Sequence, residues 1–351
     1  MKGNSQETPQ SIFTQAGDLY TAGRYEAAAE KYLAVTQYDA TAPFAYYRLA
    51  AISNITKDPV TAKSLYYKAF KQLPNICEFV LPKEHPNNNY VFRAKKDEPP
   101  VEKCPLCEGV GVAHWCYVLP ELYAHYVQKY NPVRLWMYCD TCHHMYAEEF
   151  PLQKAEPLPD LNSNAAHKSK PMATKPNTFS YFSTVLSKLA NIRGNRFLEI
   201  GIGGSEFALA AQEMGYDVFG VDIDAANVLQ AHKYGINAEV HDFMEFETDK
   251  KWDIIVMGDV IEHVSDPVVA MKKVHQLLDD EGALWISTPN FDGAFARMAG
   301  HDDPMRRVAN HKNYFSRNSF LLLLEKSNFT VVDYTISAHY NGSMELIVVK
   351  G

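Results

Sequence analysis

Hydrophobic and polar positions change their pattern along the chain, and the changes divide it into regions. Residues 9–74 are rich in Ala, Tyr, Leu and Lys and carry apolar positions at helical spacing, which predicts a helical region over residues 1–75. Beyond residue 176, short β-rich runs such as FLEIGIG, DVFGVDID and WDIIVMGDV alternate with helical stretches. That alternation predicts an α/β domain over residues 177–351, built on a doubly wound, mainly parallel sheet of seven strands.

The end of the chain predicts an exception to the parallel order. The last two predicted strands, TVVDYTI and MELIVVK, are joined only by SAHYNGS. A connection of this length is too short for the crossover that parallel neighbours need. We therefore predict that these two strands pair antiparallel at one edge of the sheet.

A spacing of 34 residues recurs in the helical region. Residues of the same type repeat at this spacing in the pairs Ala16 and Ala50, Ala28 and Ala62, and Tyr32 and Tyr66. This period, with the stretch AGRYEAAAEKYLAV, resembles the tetratricopeptide repeat, a pair of antiparallel helices per unit. Two such repeats are too few to stand alone. The sequence therefore predicts either a helical cap on the next domain or a groove for a protein partner.

Four of the six cysteines lie in a short segment, residues 101–150, as two C-x2-C pairs. Cys104 and Cys107 form the first pair, and Cys139 and Cys142 form the second. Four thiolates at this spacing converge tetrahedrally on zinc and leave no open coordination position, which predicts a structural zinc module. An iron–sulfur cluster is the alternative. Residues nearby that can replace one of the ligands are His114, Cys116, His143 and His144.

Composition and charge narrow the partners and the location. Residues 151–176 are polar and spaced by prolines, which predicts an interdomain linker. The net charge of −8 argues against nucleic acid as a partner. The polar amino-terminus lacks a signal-peptide pattern, and no apolar run reaches the roughly 18 residues that span a bilayer. We expect a cytoplasmic protein without membrane association.

The run FLEIGIGGSEF carries the clearest binding signal. A predicted strand ends near Glu199 and turns through Gly201 and Gly203 into a helix that starts near Ser205. Glycines let the backbone approach a ligand at the carboxyl end of a strand, where doubly wound folds bind nucleotides. A dinucleotide-binding fingerprint would require glycine at position 206, which is Glu206 here. An acidic neighbour suits S-adenosylmethionine, which has no phosphates and carries a sulfonium and an ammonium group.

Further polar residues follow the next strands. Asp222 ends the second strand, 19 residues after Gly203, where a carboxylate accepts hydrogen bonds from a ribose diol. Asp224 is the alternative, although it falls at the start of the following helix. Asp242 and Phe243 follow the third strand and suit an adenine amino group and ring face. The fourth strand and its loop, WDIIVMGDVIEHVSDP, complete the series.

These motifs together resemble the class I S-adenosylmethionine-dependent methyltransferases, especially their ubiquinone-biosynthesis-like branch. The resemblance rests on E-x-G-x-G, the acidic end of strand two, D-F after strand three and D-V-I-E-H-V-x-D-P after strand four. STPNFDG and HKNYFSRNSFLLLLEKSNF continue it, so that it covers about 175 residues. It implies a Rossmann-like methyltransferase fold. Ser205 departs from it, since many members have a third glycine there.

Position by position, the resemblance implies roles for single residues around the cofactor. Glu199, Gly201 and Gly203 line the methionine end, Asp222 holds the ribose, Asp242 and Phe243 hold the adenine, and Gly258 and Asp259 lie beside the sulfonium. A zinc module ahead of such a domain also resembles deoxysugar C-methyltransferases. Those enzymes carry a further C-terminal domain, so the match is partial.

The predicted chemistry is methyl transfer to a small-molecule or sugar-like acceptor, at oxygen. A hydroxyl acceptor usually needs a general base, and His263 and His311 are the candidates. Each also has a structural interpretation: His263 orients its loop with Glu262 as partner, and His311 packs against Tyr314 and Phe315. Two other functions stay open: a protein methyltransferase that recruits its substrate through the helical repeats, and a catalytically silent adaptor.

The segment 290–315 is long for a connection between strands and predicts a substrate lid or wall. Arg297, Arg306 and Arg307 lie in it. They either recognise an anionic acceptor or form a solvated surface.

Overall fold

The helical region consists of four helices joined by short turns. In the computed structural model, which describes residues 7–94, 96, 98–121, 130–150, 177–339 and 342–351, they are α1 (Pro9–Thr21), α2 (Tyr25–Ala34), α3 (Ala42–Ile55) and α4 (Pro59–Gln72). The side chains of Thr8 and Asp58 accept backbone amides and cap α1 and α4. Ala16 and Ala28 are fully buried, so the first two helices approach closely. Membership of the tetratricopeptide repeats stays a prediction.

The second helix pair packs against a small antiparallel sheet. Its strand order is β1-β2-β3-β9, with β1 (Val112–Val118), β2 (Val133–Cys139), β3 (His144–Ala147) and β9 (Asn313–Tyr314). One buried cluster joins Tyr47 and Phe70 of the helices to Leu135 of the sheet. The Asn54 side chain accepts from the Cys116 amide at 3.0 Å and donates to the Cys116 carbonyl. The helices therefore cover the edge strand as a cap.

A seven-stranded sheet forms the carboxyl-terminal half, which confirms the predicted fold. Its order is β10-β11-β8-β7-β4-β5-β6. The strands are β4 (Arg196–Ile200), β5 (Asp217–Asp222), β6 (Asn237–Val240), β7 (Trp252–Gly258), β8 (Leu278–Pro289), β10 (Phe329–Ile336) and β11 (Ser343–Lys350). All neighbours are parallel except that β11 pairs antiparallel with both β8 and β10. The last two strands thus pair as predicted.

Helices cover both faces of this sheet. They are α6 (Thr178–Leu189), α7 (Glu206–Glu213), α8 (Ala225–Lys233), α9 (Pro267–Leu277), α10 (Ala294–Ala299) and α11 (Arg317–Lys326). α6, α7 and α8 bury their apolar residues in one cluster with the strands. On the other face, α9 and α11 share a cluster with Cys104, Cys139 and Cys142. The cysteine segment therefore packs directly on the α/β domain.

The small sheet crosses the predicted domain boundary at residue 177. Met145 and Tyr146 of β3 pair with Tyr314 and Asn313 of β9, which belongs to the carboxyl-terminal half. Between the four helices and the cysteine segment lies one short helix, α5 (Cys77–Val80). The predicted linker, 151–176, lies outside the described residues. None of the described helices has the length and apolarity to cross a bilayer.

Candidate active site

The loop after β4 forms a cradle at the carboxyl edge of the sheet. Gly201 has φ +77°, and a Cβ there would lie 2.4 Å from Val260 Cγ2. Gly203 has φ +48°, and a Cβ there would meet nothing nearer than the Gly201 carbonyl oxygen at 3.9 Å. The first glycine is therefore required by close packing, and the second faces open space that a ligand can fill. The backbone of Ser205 also lies in the left-handed region, with φ +69°. At this position many members of the family that the sequence resembles have a glycine.

Glu199 ends β4 beneath this loop and is almost fully buried. Its side chain is 7% exposed, and its Oε2 atom has no hydrogen-bond partner among the described residues. Burial raises the pKa of the Glu199 carboxyl well above its usual range. An isolated buried carboxylate is costly. The Glu199 oxygen is therefore suited to a ligand that brings a positive charge or a donor.

Asp222 ends β5 and is fixed beside the glycine loop. Its carboxylate accepts from the amides of Gly203 at 2.9 Å and Asp224 at 2.8 Å, and from Asn227 Nδ2 at 3.1 Å. Burial nevertheless raises the pKa of this carboxyl. The alternative, Asp224, caps α8 by accepting the Ala226 amide at 2.9 Å. Of the two aspartates, Asp222 is the one that contacts the loop.

Two further pairs of predicted cofactor residues, Asp242 with Phe243 and Gly258 with Asp259, lie at the ends of β6 and β7. Asp242 accepts the Met244 amide at 2.9 Å and caps a short 3-10 turn that contains the buried Phe243. Asp259, which follows Gly258, has φ +52°, a strained backbone for an aspartate. Ser287 Oγ, from the neighbouring strand β8, donates to Asp259 Oδ1 at 3.2 Å. All of the predicted cofactor residues thus follow adjacent strands at the same edge.

Glu262, His263 and His311 form a compact cluster beyond β7. His311 Nε2 lies 3.9 Å from Glu262 Oε1, and the two imidazole centroids are 4.8 Å apart. One ligand atom from each of the three residues lies within 4.8 Å of the others, an arrangement that can hold a metal ion. Glu262 Oε2 accepts from Thr288 Oγ1 at 3.0 Å, while Oε1 has no hydrogen-bond partner among the described residues. The two candidate catalytic histidines therefore share one site with a buried carboxylate.

The hydrogen bonds of the two histidines fix their tautomers. His263 Nδ1 lies 3.1 Å from the Asn310 carbonyl oxygen, and His311 Nδ1 lies 3.0 Å from the Met305 carbonyl oxygen. Because a carbonyl oxygen only accepts, each Nδ1 carries the hydrogen and each Nε2 presents a lone pair. Burial lowers the pKa of His263 to about 4 and lowers that of His311 well below its usual value. Both rings are neutral near pH 7.

The predicted lid carries ion pairs within itself. Arg297 pairs with Asp292, Arg306 with Asp303 and Arg307 with Asp302. The arginine charges are thus balanced by neighbouring carboxylates. Sequence reasoning did not find Ser287 and Thr288, which sit at the end of β8 and hold Asp259 and Glu262. The only sequence signal for them is the STPN run of the resemblance.

The four cysteines of the module converge as predicted. Their sulfur atoms lie within 4.8 Å of one another, with Cys104 to Cys142 at 3.6 Å and Cys107 to Cys139 at 3.5 Å. Zn–S bonds of about 2.3 Å in a tetrahedron place sulfurs about 3.8 Å apart, so the group fits zinc. Of the alternative ligands, His143 is hydrogen-bonded to Tyr138 and His144 to Asn313, and Cys116 lies outside the group. His114 is outside the group.

Comparison with known proteins finds similarity to methyltransferases. Residues 175–334 match the family model described as a methyltransferase domain. These residues, which make up less than half of the chain, are thus similar to a methyltransferase domain. Among curated relatives, ubiquinone biosynthesis O-methyltransferase of Pasteurella multocida (strain Pm70) is 26% identical over 125 residues, which cover 31% of this chain and 52% of that protein.

Other matches are of the same kind. The ubiquinone biosynthesis O-methyltransferase of Pseudomonas syringae pv. tomato is 28% identical over 114 residues, covering 30% of this chain and 49% of that protein. The chain thus spans about half the length of the curated relatives it matches. A solved structure, magnesium protoporphyrin IX methyltransferase from Synechocystis PCC 6803, aligns with a TM-score of 0.42 and 16% identity over 50% of this chain and 83% of that one.

Proposed function

We propose that the protein transfers the methyl group of S-adenosylmethionine to an oxygen atom of a small-molecule or sugar-like acceptor. The observation that carries this proposal is the arrangement of acidic groups at one edge of the sheet. In three neighbouring strands, Glu199 is the penultimate residue of β4, Asp222 is the last residue of β5, and Asp259 directly follows β7. Next to them lies the cluster of Glu262, His263 and His311. The edge thus joins a place for a cationic cofactor to a place that can activate an acceptor.

The cofactor residues fit S-adenosylmethionine, which when bound supplies a methyl carbon made electrophilic by the sulfonium. The unpartnered Oε2 of Glu199 suits its cationic amino acid end, and the open space at Gly203 admits it. Asp222, fixed beside Gly203, is placed to hold a ribose diol. Asp242 and Phe243 would contact the adenine, and Gly258 and Asp259 would lie beside the sulfonium.

The histidine cluster would prepare the acceptor. The cluster would take the proton of an acceptor hydroxyl, which makes that oxygen a better nucleophile toward the methyl group that S-adenosylmethionine would supply. The Nε2 lone pairs of His263 and His311 are the acceptors available for that proton, and both rings are neutral near pH 7. The relatives named O-methyltransferases support oxygen as the methylated atom.

As a second way of preparing the acceptor, we propose that this cluster holds a divalent cation, in which case the two Nε2 atoms would ligate the ion and would not accept the proton. It presents two imidazole lone pairs and the Glu262 Oε1 atom, none of them paired with a hydrogen-bond donor in the described part of the chain. Burial and the nearby Asp259 raise the pKa of the Glu262 carboxyl well above its usual range, and a cation bound beside it would favour its charged form. Imidazole and carboxylate ligands suit such ions. A bound cation would lower the pKa of a coordinated hydroxyl.

Glu262→Gln should weaken binding of Mn²⁺ at least tenfold, because it removes the only charged ligand of the cluster. Electron paramagnetic resonance of free Mn²⁺ measures the affinity in the zinc-replete protein. Glu345→Gln is the matched control, since Glu345 is also a buried carboxylate (5% exposed) and lies on β11 outside the cluster. Equal Mn²⁺ affinity in wild type and Glu262→Gln would refute the cation site. In that case the histidines would act as general bases without a metal.

For the cysteine module we propose a structural zinc ion held by Cys104, Cys107, Cys139 and Cys142. The sulfur separations fit a tetrahedral ion, and four thiolates leave no position for a substrate. Gly109 lies against this group, where a Cβ would approach the sulfurs of Cys107 and Cys139 to 3.2 Å each. The zinc therefore serves the fold and takes no part in methyl transfer.

A further inference from the structure

The segment that carries His311 is held from one side by the small sheet β1-β2-β3-β9 (the cysteine-bearing sheet, since its strand β2 ends at Cys139). Two side chains of β2 donate to its backbone: Trp136 Nε1 to the Arg306 carbonyl at 3.0 Å, and Arg134 Nη2 to the Ala309 carbonyl at 3.2 Å. Directly after His311, the segment becomes β9 and pairs with β3. The backbone on both sides of His311 is thus fixed by the cysteine-bearing sheet.

Two buried side chains, His144 and Asn313, connect strand β3 of the cysteine-bearing sheet to the loop that carries His263. His144, which pairs with Cys139 in the sheet, lies with Nε2 3.1 Å from Asn313 Oδ1. Asn313 Nδ2 in turn donates to the Val264 carbonyl at 2.7 Å. Val264 directly follows His263. His144 and Asn313 are both fully buried, so no water can take over these bonds.

The positions of the two histidines are set by different parts of the chain. His263 lies on the loop after β7, while His311 comes 48 residues later, at the end of the lid. No single helix or strand holds both. Asn313 and Lys312 both follow His311 closely and bond the loop of His263: Asn313 Nδ2 donates to the Val264 carbonyl, while the Lys312 amide donates to the Glu262 carbonyl at 2.9 Å and its Nζ to Ser265 Oγ at 2.9 Å. Of the two, only Asn313 also connects this loop to the cysteine-bearing sheet through a side-chain bond to His144. A buried asparagine with both ends bonded accepts few other geometries.

We infer that the cysteine module is a structural part of the acceptor site, with His144 and Asn313 as positioning residues that set His263 and His311 relative to each other. The functional meaning of this inference rests on the proposed role of the two histidines. It follows that the cofactor residues are held by the seven-stranded sheet and its loops, while the acceptor site also requires the cysteine-bearing sheet.

Hydrogen exchange of the full-length protein tests this directly. In Asn313→Ala, amides in the segments 260–266 and 308–314 should exchange about tenfold faster, because the side-chain bond that ties both to His144 is lost while the Lys312 bonds remain. Amides of the cofactor loop, 199–206, should keep their protection. Asn54→Ala is the matched control: Asn54 is also buried and also bonds a backbone from two directions, but at Cys116. It should loosen the helix–sheet contact and leave both histidine segments protected.

Two further variants separate positioning from plain packing. His144→Gln keeps a donor that can reach Asn313 and should preserve the protection of both segments, whereas His144→Leu should lose it. Affinity for Mn²⁺ should fall at least tenfold in Asn313→Ala and His144→Leu, with affinity for S-adenosylhomocysteine kept within about twofold.

Unchanged exchange in segments 260–266 and 308–314 of Asn313→Ala would overturn the inference. An equal rise in the exchange rates of the cofactor loop, 199–206, would overturn it too, since it would show a general loss of packing. If the wild-type protein binds no Mn²⁺, the proposed cation fails, while the exchange result still decides the role of Asn313.

Discussion

Asp222→Ala is expected to lower the affinity for S-adenosylhomocysteine about a hundredfold. The Asp222 carboxylate ends β5 beside Gly203 and would accept two hydrogen bonds from the ribose diol. Hydrogen bonds to a charged group contribute about 1.5 kcal/mol or more each, and two of them correspond to roughly a hundredfold in affinity. Isothermal titration calorimetry of S-adenosylhomocysteine into the folded variant measures the change.

Asp224→Ala is the control for this result. Asp224 lies two residues away and caps α8, so its loss should cost about 1 kcal/mol of stability and change the affinity less than threefold. The placement of the ribose would be wrong if the two variants lost affinity equally. It would also be wrong if Asp222→Ala, with wild-type thermal stability, bound as tightly as the wild type.

Cys104→Ser is expected to release the zinc ion and to destabilise the protein strongly. A structural zinc ion contributes its binding free energy to folding, and a serine cannot replace a thiolate ligand. A loss of about 3 kcal/mol would lower the Tm by roughly 4 °C in a chain of 351 residues. Elemental analysis for zinc and differential scanning calorimetry measure the two effects.

Cys116→Ser is the matched control for the cysteine module. Cys104 and Cys116 are 1% and 2% exposed, so both substitutions remove a buried sulfur and place a hydroxyl in the interior. Only the first removes a proposed ligand. A Cys104→Ser protein that kept its fold without metal, or a wild-type protein purified without zinc, would contradict a structural zinc ion.

The sequence was sufficient for the parts of the site that are local along the chain. The glycine turn after β4 and the acidic residues after β5, β6 and β7 each follow their own strand within a few residues. Parallel strands bring such ends to one edge of a sheet. Asp222 and Gly203 were therefore predictable as neighbours, and the structure joins them by a hydrogen bond of 2.9 Å.

The contacts between the regions were not predictable in the same way. β9 has only two residues, Asn313 and Tyr314, and its partner strand lies more than 160 positions earlier. Two residues carry no periodicity that would mark them as a strand. The Asn54 contact with the Cys116 backbone spans 62 positions. Both depend on how the regions pack, which the local pattern leaves undetermined.

The histidine cluster was predictable from the sequence only in part. His263 and His311 were candidates because histidine suits proton transfer near neutral pH. Their contact, and the unpartnered Oε1 of Glu262 beside them, appear only when the lid folds back over the loop after β7. The lid itself is held by the cysteine-bearing sheet, so the cluster depends on long-range packing.

Calorimetric titration of the wild-type protein with S-adenosylhomocysteine, and in parallel with NADH, tests the central claim most directly. Both ligands carry an adenosine, but only the dinucleotide needs the glycine that is replaced by Glu206. We predict saturable binding of S-adenosylhomocysteine at one site per chain and no binding of NADH. A folded protein that binds NADH, or that leaves S-adenosylhomocysteine unbound, would contradict the assignment of this edge to a methyltransferase cofactor.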